Sequence, residues 1–406
     1  MLTALGNGVE GGRWYSLMDK VYRREVLDVA WERVERNAGA AGVDGQSVAA
    51  FAAHAGRYLD ELGADLRSGR YRAQPVRRVY IPKGGGQLRP LGIPTVKDRV
   101  VQTALKLVLE PIFERDFVAG SYGFRPQRGC KDALREVDRL IADGYVWVVD
   151  ADICQYFEQI DKVRLLGRVA DRVSDGRVLR LIEDYLNQEI LEGLQRWTPT
   201  AGTPQGAVLS PLLANLYLHP LDVEMAASGH RMVRYADDAV VMCASEAEAQ
   251  AALARMRAWV EANGLRLHPE KTHLGDCREK GQGFEFLGYR FEAGRRYVRS
   301  KSLKALKERL RQRTRRTRGD PIERVIADIN PTLRGWFGYF KHAHRTTFTA
   351  IDGFVRRRLR ALLRRQEGRP GMGLCIADNC RWNNAFFAEH GLFALTPAHA
   401  AASQSR

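Results

Sequence analysis

The chain has 406 residues, 45% of them hydrophobic, with 64 Lys and Arg against 48 Asp and Glu, a net charge of +16 and a pI near 9.8. That length holds two or three globular domains, and the excess of positive charge predicts a polyanionic partner, because neutralised phosphates release condensed counterions. No apolar run approaches the roughly 20 residues needed to span a bilayer and no apolar signal core opens the chain, so a cytoplasmic protein with no membrane role is expected. The Cys residues at 130, 154, 243, 277, 375 and 380 are scattered, and only the last two lie close together. Reduced thiols are expected, not disulfides or a zinc site.

Trp14 to Val34 reads as helical, with Leu17, Val21, Leu27 and Trp31 along it, and a glycine-rich break follows at Gly39 to Gly45. Arg57 to Leu66 is a second amphipathic helix. Val76 to Ile81 predicts a strand, Pro82 to Gln87 a flexible tip, and Leu88-Arg89-Pro90-Leu91 the return. Helices are expected over Asp98 to Phe113 and 131–142, then a strand from Val146 to Asp152, then helices at about 161–171 and 177–190. Leu209 to Leu218 reads as a buried helix behind the loop Gly202-Thr203-Pro204-Gln205-Gly206. A hairpin is predicted around Asp237, and a helix from Glu246 to Asn263 with Asn263-Gly264 as its C-cap. Strands return within 283–289. From about 300 onward the pattern is helical and Arg-rich, broken at Gly319-Asp320-Pro321, and Ala394 to Arg406 is expected to fray.

Arg234-Tyr235-Ala236-Asp237-Asp238, between Met232-Val233 and Ala239 to Met242, reads as strand, tight turn, strand. Paired Asp in a turn ordinarily only shapes the turn. A second apolar strand, Val146 to Ile153, also ends in acid, at Asp150 and Asp152. Acids ending two buried strands can converge on a divalent metal pair, as phosphoryl transfer requires, and this points to a nucleotidyl-transferring polymerase. Strand alternation puts Asp150 and Asp152 on one face, so geometry alone does not choose between them.

Lys83 and Arg89 flank the tip Gly84 to Gly86, where backbone could approach phosphates and two cations could clamp them, although the same residues make an ordinary hairpin turn. Gln205 offers an amide near a sugar or base, or simply faces solvent. Phe157, just past Asp152, could exclude a 2′-hydroxyl, or be core. Twelve Lys or Arg and one acid fall between Arg295 and Arg318, and seven Arg and one acid between Phe354 and Arg369. Within the second run, Arg356, Arg357, Arg358, Arg360, Arg364 and Arg365 read as a phosphate-binding surface, while Trp336 and Phe340, four apart, read as packing.

Together these segments resemble bacterial group II intron reverse transcriptases, the intron-encoded maturase family. The blocks run in order: Gly42-Val43-Asp44-Gly45; Ile81-Pro82-Lys83 through Arg89 to Pro94; Ser121 to Pro126; Asp152-Ile153 with Tyr156-Phe157; Thr203 to Gly206 with Leu209-Ser210-Pro211; Tyr235 to Asp238; His268-Pro269-Glu270-Lys271-Thr272; Phe286-Leu287-Gly288-Tyr289; and Asn330-Pro331 with Leu333 to Trp336. The resemblance implies an α+β right-hand polymerase with a helical thumb/maturase domain. Its parts would be an N-terminal helical extension (1–75), fingers and palm (76–295), thumb/maturase (296–365) and a short tail (366–406), a possible DNA-binding element without endonuclease. It implies Mg²⁺ on Asp152, Asp237 and Asp238, with Asp152 chosen over Asp150 on this ground. Lys83, Arg89, Phe157 and Gln205 would hold the nucleotide, and Phe286, Leu287, Gly288 and Tyr289 the primer end. Lys271 and the arginines would bind nucleic acid.

The implied activity is RNA-directed DNA synthesis coupled to splicing and mobility of an intron RNA, with that RNA, DNA target or primer, and dNTPs as partners. Two alternatives are a splicing cofactor whose polymerase is dispensable and a free-standing enzyme of defence or repair. Cys154-Gln155 and Glu158 depart from the family pattern without touching the three acids.

Overall fold

The computed structural model describes Leu5 and residues 12–84, 87–203 and 206–404. They form two compact units that divide between Leu274 and Gly275.

Two sheets lie mainly in the first unit, whose limit falls within the last strand of the second sheet. β1 (Val76–Gly84) and β2 (Gln87–Ile93) form an antiparallel hairpin, so the strands expected here run further into the tip than the composition suggested. β3 is Trp147–Asp152, β4 Ile190–Glu192 and β5 Gln195–Trp197. β4 lies parallel to β1, giving the order β2-β1-β4-β5. The helix expected to reach residue 190 ends at Leu186 because Ile190 and Leu191 pair with Val76 and Arg77 instead.

The second sheet has the order β6-β7-β3-β8, with β6 at Arg231–Tyr235, β7 at Asp238–Cys243 and β8 at His273–Asp276. Ala239 through Cys243 are all buried, the near-continuous apolar run of a strand covered on both faces. The helix Glu246–Ala262 packs on β3 and β7, and Cys130–Ala142 on β6. The helix Ser210–Ala227 is buried on nearly every side, with Leu212, Leu213, Leu216, Tyr217, Leu218 and Leu221 enclosed. The helix Val96–Glu114 starts at Thr95, whose hydroxyl accepts from the Asp98 amide at 3.1 Å.

In the second unit, β9 (Phe284–Phe286), β10 (Tyr289–Glu292) and β11 (Arg295–Val298) form a meander with β10 central. Three long helices follow, Ser300–Arg313, Ile322–Phe340 and Thr346–Gln366. The Ala/Ser-rich end does not fray: Leu395–Gln404 is a helix, and the buried Asp352 carboxylate accepts from the Leu395 and Thr396 amides, each at 2.9 Å. Trp382, Phe387 and Leu395 are buried, so this stretch belongs to the core of its unit. All six cysteines are free thiols, and no helix among the described residues is long and apolar enough to cross a membrane.

Candidate active site

β3 and β7 pair antiparallel with Asp152 opposite Asp238 and Asp150 opposite Val240. Direct cross-strand partners project from the same face with Cα atoms roughly 5 Å apart. Tyr235 pairs with Asp238 across the β6–β7 hairpin, which leaves Ala236 and Asp237 as a two-residue turn. Ala236 has φ +59° and Asp237 stays outside the left-handed region, as in a type II′ turn. The register thus separates two acids that alternation left equivalent: Asp152 meets the turn, while Asp150 Oδ2 lies 3.7 Å from His273 Nδ1.

Burial pushes the Asp237 carboxyl above the usual carboxylate range and the Asp152 charge adds to the effect, while the cations of Arg89 and Arg234 pull it back. Asp237 therefore feels the Asp152 charge. Beside them the chain returns along β3: the His268 amide donates to the Asp152 carbonyl at 2.7 Å, and the Thr272 amide to the His268 carbonyl at 2.9 Å. That turn brings Lys271 Nζ to 2.7 Å from Asp152 Oδ2. Lys271 was legible only as a nucleic-acid contact; its partner was not.

The turn itself rests on a buried cluster that sequence reasoning missed. Arg234 Nε donates to Asp222 Oδ1 at 2.6 Å, with Nη2 on the other carboxylate oxygen, and neither side chain reaches solvent. Nη1 donates to Asn215 Oδ1 at 3.1 Å and to the Ala236 carbonyl at 2.8 Å, and Nη2 to Ser121 Oγ at 2.9 Å. Burial alone would disfavour the Arg234 cation, but Asp222 more than offsets it. Removing one member of such a pair costs about 3–5 kcal/mol, since it leaves a charge buried alone. The signal was present as an Arg inside an apolar strand and an Asp inside an apolar helix.

Phe157 follows β3 in the short helix Tyr156–Gln159, entered through Gln155 at φ +40°. Its ring is half-buried against Tyr156, centroids 5.3 Å apart. Its carbonyl accepts from the Thr203 amide at 2.8 Å, and the Gly202 amide donates to the Ile160 carbonyl at 2.8 Å. Gly202 sits at φ +89°, where a Cβ would lie 2.7 Å from the Phe157 oxygen, so the approach needs glycine. The loop that leads to Gln205 is thus tied to the backbone of Phe157. Gln205 and the Lys83 side chain lie outside the described residues. Arg89 is exposed on β2 opposite Ile81.

In the second unit, Phe286 pairs with Tyr289, and Leu287 (φ +47°) and Gly288 (φ +86°) make the turn between β9 and β10. Tyr289 donates to the Tyr339 carbonyl at 2.6 Å and Tyr339 to the Leu287 carbonyl at 2.8 Å, fastening the turn to the helix Ile322–Phe340. Phe286, Gly288 and Tyr289 are buried and Leu287 is half-buried. Trp336 and Phe340 pack together, with ring centroids 4.7 Å apart. The arginine run divides. Arg357 and Arg365 are exposed and Arg356 is half-buried. Arg358 donates to the Thr314 carbonyl at 2.6 Å and the Arg311 carbonyl at 3.2 Å, Arg360 to the Trp382 carbonyl at 2.8 Å, and Arg364 to Asp378 at 2.7 Å.

Among the described residues no three His, Cys, Asp or Glu side chains are drawn closely enough to hold a metal ion as they stand. The donor set of Asp152, Asp237 and Asp238 is nonetheless all carboxylate oxygen, the ligand type that Mg²⁺ takes, and two mutually repelling acids favour a cation between them.

Residues 81–291 match the family model described as reverse transcriptase (RNA-dependent DNA polymerase), and residues 303–373 match the group II intron, maturase-specific domain. The chain belongs to the group II intron reverse transcriptase/maturase family. Group II intron-encoded protein LtrA of Lactococcus lactis subsp. cremoris is 39% identical over 203 residues, covering 49% of this chain and 33% of LtrA. Protein YkfC of Escherichia coli (strain K12) is 35% identical over 289 residues, 61% of this chain and 75% of YkfC. The match therefore spans about a third of LtrA's length and three quarters of YkfC's. A chain of a partial Cas6-RT-Cas1–Cas2 complex is 25% identical over 63% of this chain and 43% of its own, with a TM-score of 0.38. The α+β architecture, with its helical maturase segment after the polymerase segment, is the one expected of this family.

Proposed function

We propose that this reverse transcriptase/maturase is an RNA-directed DNA polymerase that extends a primer on an RNA template and assists splicing and mobility of an intron RNA. The observation that carries the reading is the register that sets Asp152 opposite Asp238 with Asp237 in the adjoining turn. These three carboxylates would hold two divalent ions, Mg²⁺ by donor chemistry. When bound, such ions lower the pKa of the primer 3′-hydroxyl and neutralise charge on the triphosphate. Lys271, which donates to Asp152 Oδ2, would compete with such an ion for that oxygen.

The chain's own residues supply the rest. Arg89, whose charge already acts on Asp237, meets the triphosphate together with Lys83. Phe157 stands under the sugar and rejects a 2′-hydroxyl, and Gln205 completes the nucleotide pocket. The Leu287-Gly288 turn, held from behind by Phe286 and Tyr289, presents backbone to the primer end. Arg356, Arg357 and Arg365 face intron RNA or DNA, and Arg358, Arg360 and Arg364 hold that surface in shape. A cytoplasmic location is consistent with these partners.

The test is primer extension on matched RNA and DNA templates with Mg²⁺. Wild-type protein should extend on RNA with dNTPs, and Asp237→Asn should not; near wild-type extension by that variant would refute the site. The maturase-specific match over 303–373 favours a second job, which splicing by the same Asp237→Asn protein would separate from polymerisation.

A further inference from the structure

Among the described residues, Arg234 heads the largest fully buried side chains, yet a hairpin of this kind does not need a buried ion pair to close. Two-residue turns usually close with Gly, Asn or Asp at positive φ; here Ala236 takes that role at φ +59°. A strained L-residue persists only where its surroundings over-determine it. Three contacts do so. Arg234 Nη1 donates to the Ala236 carbonyl at 2.8 Å. Asn215, which accepts from the same nitrogen, donates to the Gly123 carbonyl at 2.7 Å. Gly123 lies so close to the turn that a Cβ there would be 2.3 Å from the Ala236 nitrogen.

The Ala236 carbonyl and the Asp237 amide belong to one rigid peptide plane, so whatever fixes that oxygen also fixes where Asp237 leaves the backbone. Arg234 reaches this oxygen while its other two nitrogens hold Asp222, on the helix Ser210–Ala227. The planar guanidinium thus sets the height of the turn against the helix Ser210–Ala227.

We propose that Arg234, held by Asp222 and Asn215, is a positioning residue that fixes Asp237 against Asp152 and so sets the protein's affinity for divalent ions, leaving its affinity for RNA unchanged. The inference rests on the reading of the three acids as metal ligands.

The test measures Mn²⁺ binding to the full chain, without primer or nucleotide, from the loss of the free-ion signal in electron paramagnetic resonance. RNA binding and thermal unfolding are followed on the same samples. Arg234→Lys keeps a buried charge but cannot span Asp222 and the Ala236 carbonyl together. It should weaken Mn²⁺ binding by about tenfold, the usual scale for groups that orient metal ligands, with RNA affinity intact. Asn215→Ala leaves the ion pair in place and should shift Mn²⁺ binding the same way by less. Equal Mn²⁺ affinity in wild type and in the folded variants overturns the proposal alone. If Arg234→Lys does not fold, Asn215→Ala decides by the same criterion. A wild-type protein that binds no Mn²⁺ overturns the metal reading and this proposal with it.

Discussion

Lys271 donates from its ammonium to Asp152 Oδ2 at 2.7 Å, so the acid that ends β3 already has a cation against it. Both side chains are partly exposed, which keeps the pair weak and screened by salt. Lys271→Met should therefore tighten Mn²⁺ binding about two- to fivefold, matching the ~0.5–1 kcal/mol that exposed ion pairs are worth. Binding that is unchanged or weaker would show that Lys271 does not compete for Asp152.

Phe157 offers a second test. Its ring is partly accessible, while its carbonyl holds the loop at Thr203 through backbone alone. Phe157→Ala therefore removes the ring and keeps the loop. Discrimination between dNTPs and rNTPs, measured as the ratio of kcat/KM, should fall by at least about tenfold. A preserved ratio would assign the ring to packing.

The arginines of the helix Thr346–Gln366 should separate into two phenotypes. Replacing the exposed pair Arg357 and Arg365 with Ala should weaken RNA binding whatever the sequence and reduce the slope of log K against log salt by about 1.4 to 2, without lowering Tm. Arg358→Ala strips the Thr314 and Arg311 carbonyls of a shared donor and should cost about 1–2 kcal/mol of stability. Equal effects on Tm from both sets would contradict this division.

Asp175 ties the start of the first unit to the helix Gly176–Leu186. One carboxylate oxygen accepts from the Leu17 and Met18 amides at 2.7 and 2.8 Å, the other from Arg177 and Val178 at 3.0 and 3.3 Å. Burial pushes this carboxyl up, but the four amide donors outweigh it and hold the pKa below the ordinary value. A depressed folded-state pKa gives stability that is present above the unfolded value of about 3.9 and lost as pH falls through the folded one. Asp175→Ala should cost about 2–3 kcal/mol at pH 7, and its deficit should narrow below about pH 4. Denaturant melts at the two pH values check this; a constant deficit would refute it.

Much of the geometry of the candidate site was readable without coordinates because its parts are local. Two apolar strands ending in acid, and a turn between Tyr235 and Asp238, announce themselves by alternation and composition. What stayed hidden depends on partners remote in the chain. Strand alternation left Asp150 and Asp152 equivalent apart from the family resemblance, and only the β3–β7 register sets Asp152 opposite Asp238. The helix expected to reach residue 190 stops early because β4 finds β1, and tertiary pairing overrides local periodicity. The Ala/Ser-rich end is ordered by Asp352, some forty residues upstream. The arginine run looked uniform in composition, but helical periodicity turns Arg358, Arg360 and Arg364 onto neighbouring carbonyls and a carboxylate.

Val76 meets Ile190 side by side, so the strand that completes the first sheet is made long after the hairpin it must join. During synthesis Val76 and Arg77 therefore lack their β4 partners until more than a hundred further residues have emerged. Open edges are where growing chains pair with the wrong neighbour. Translation pauses between these two segments should therefore lower the yield of soluble protein, and chaperones that shield nascent strands should restore it.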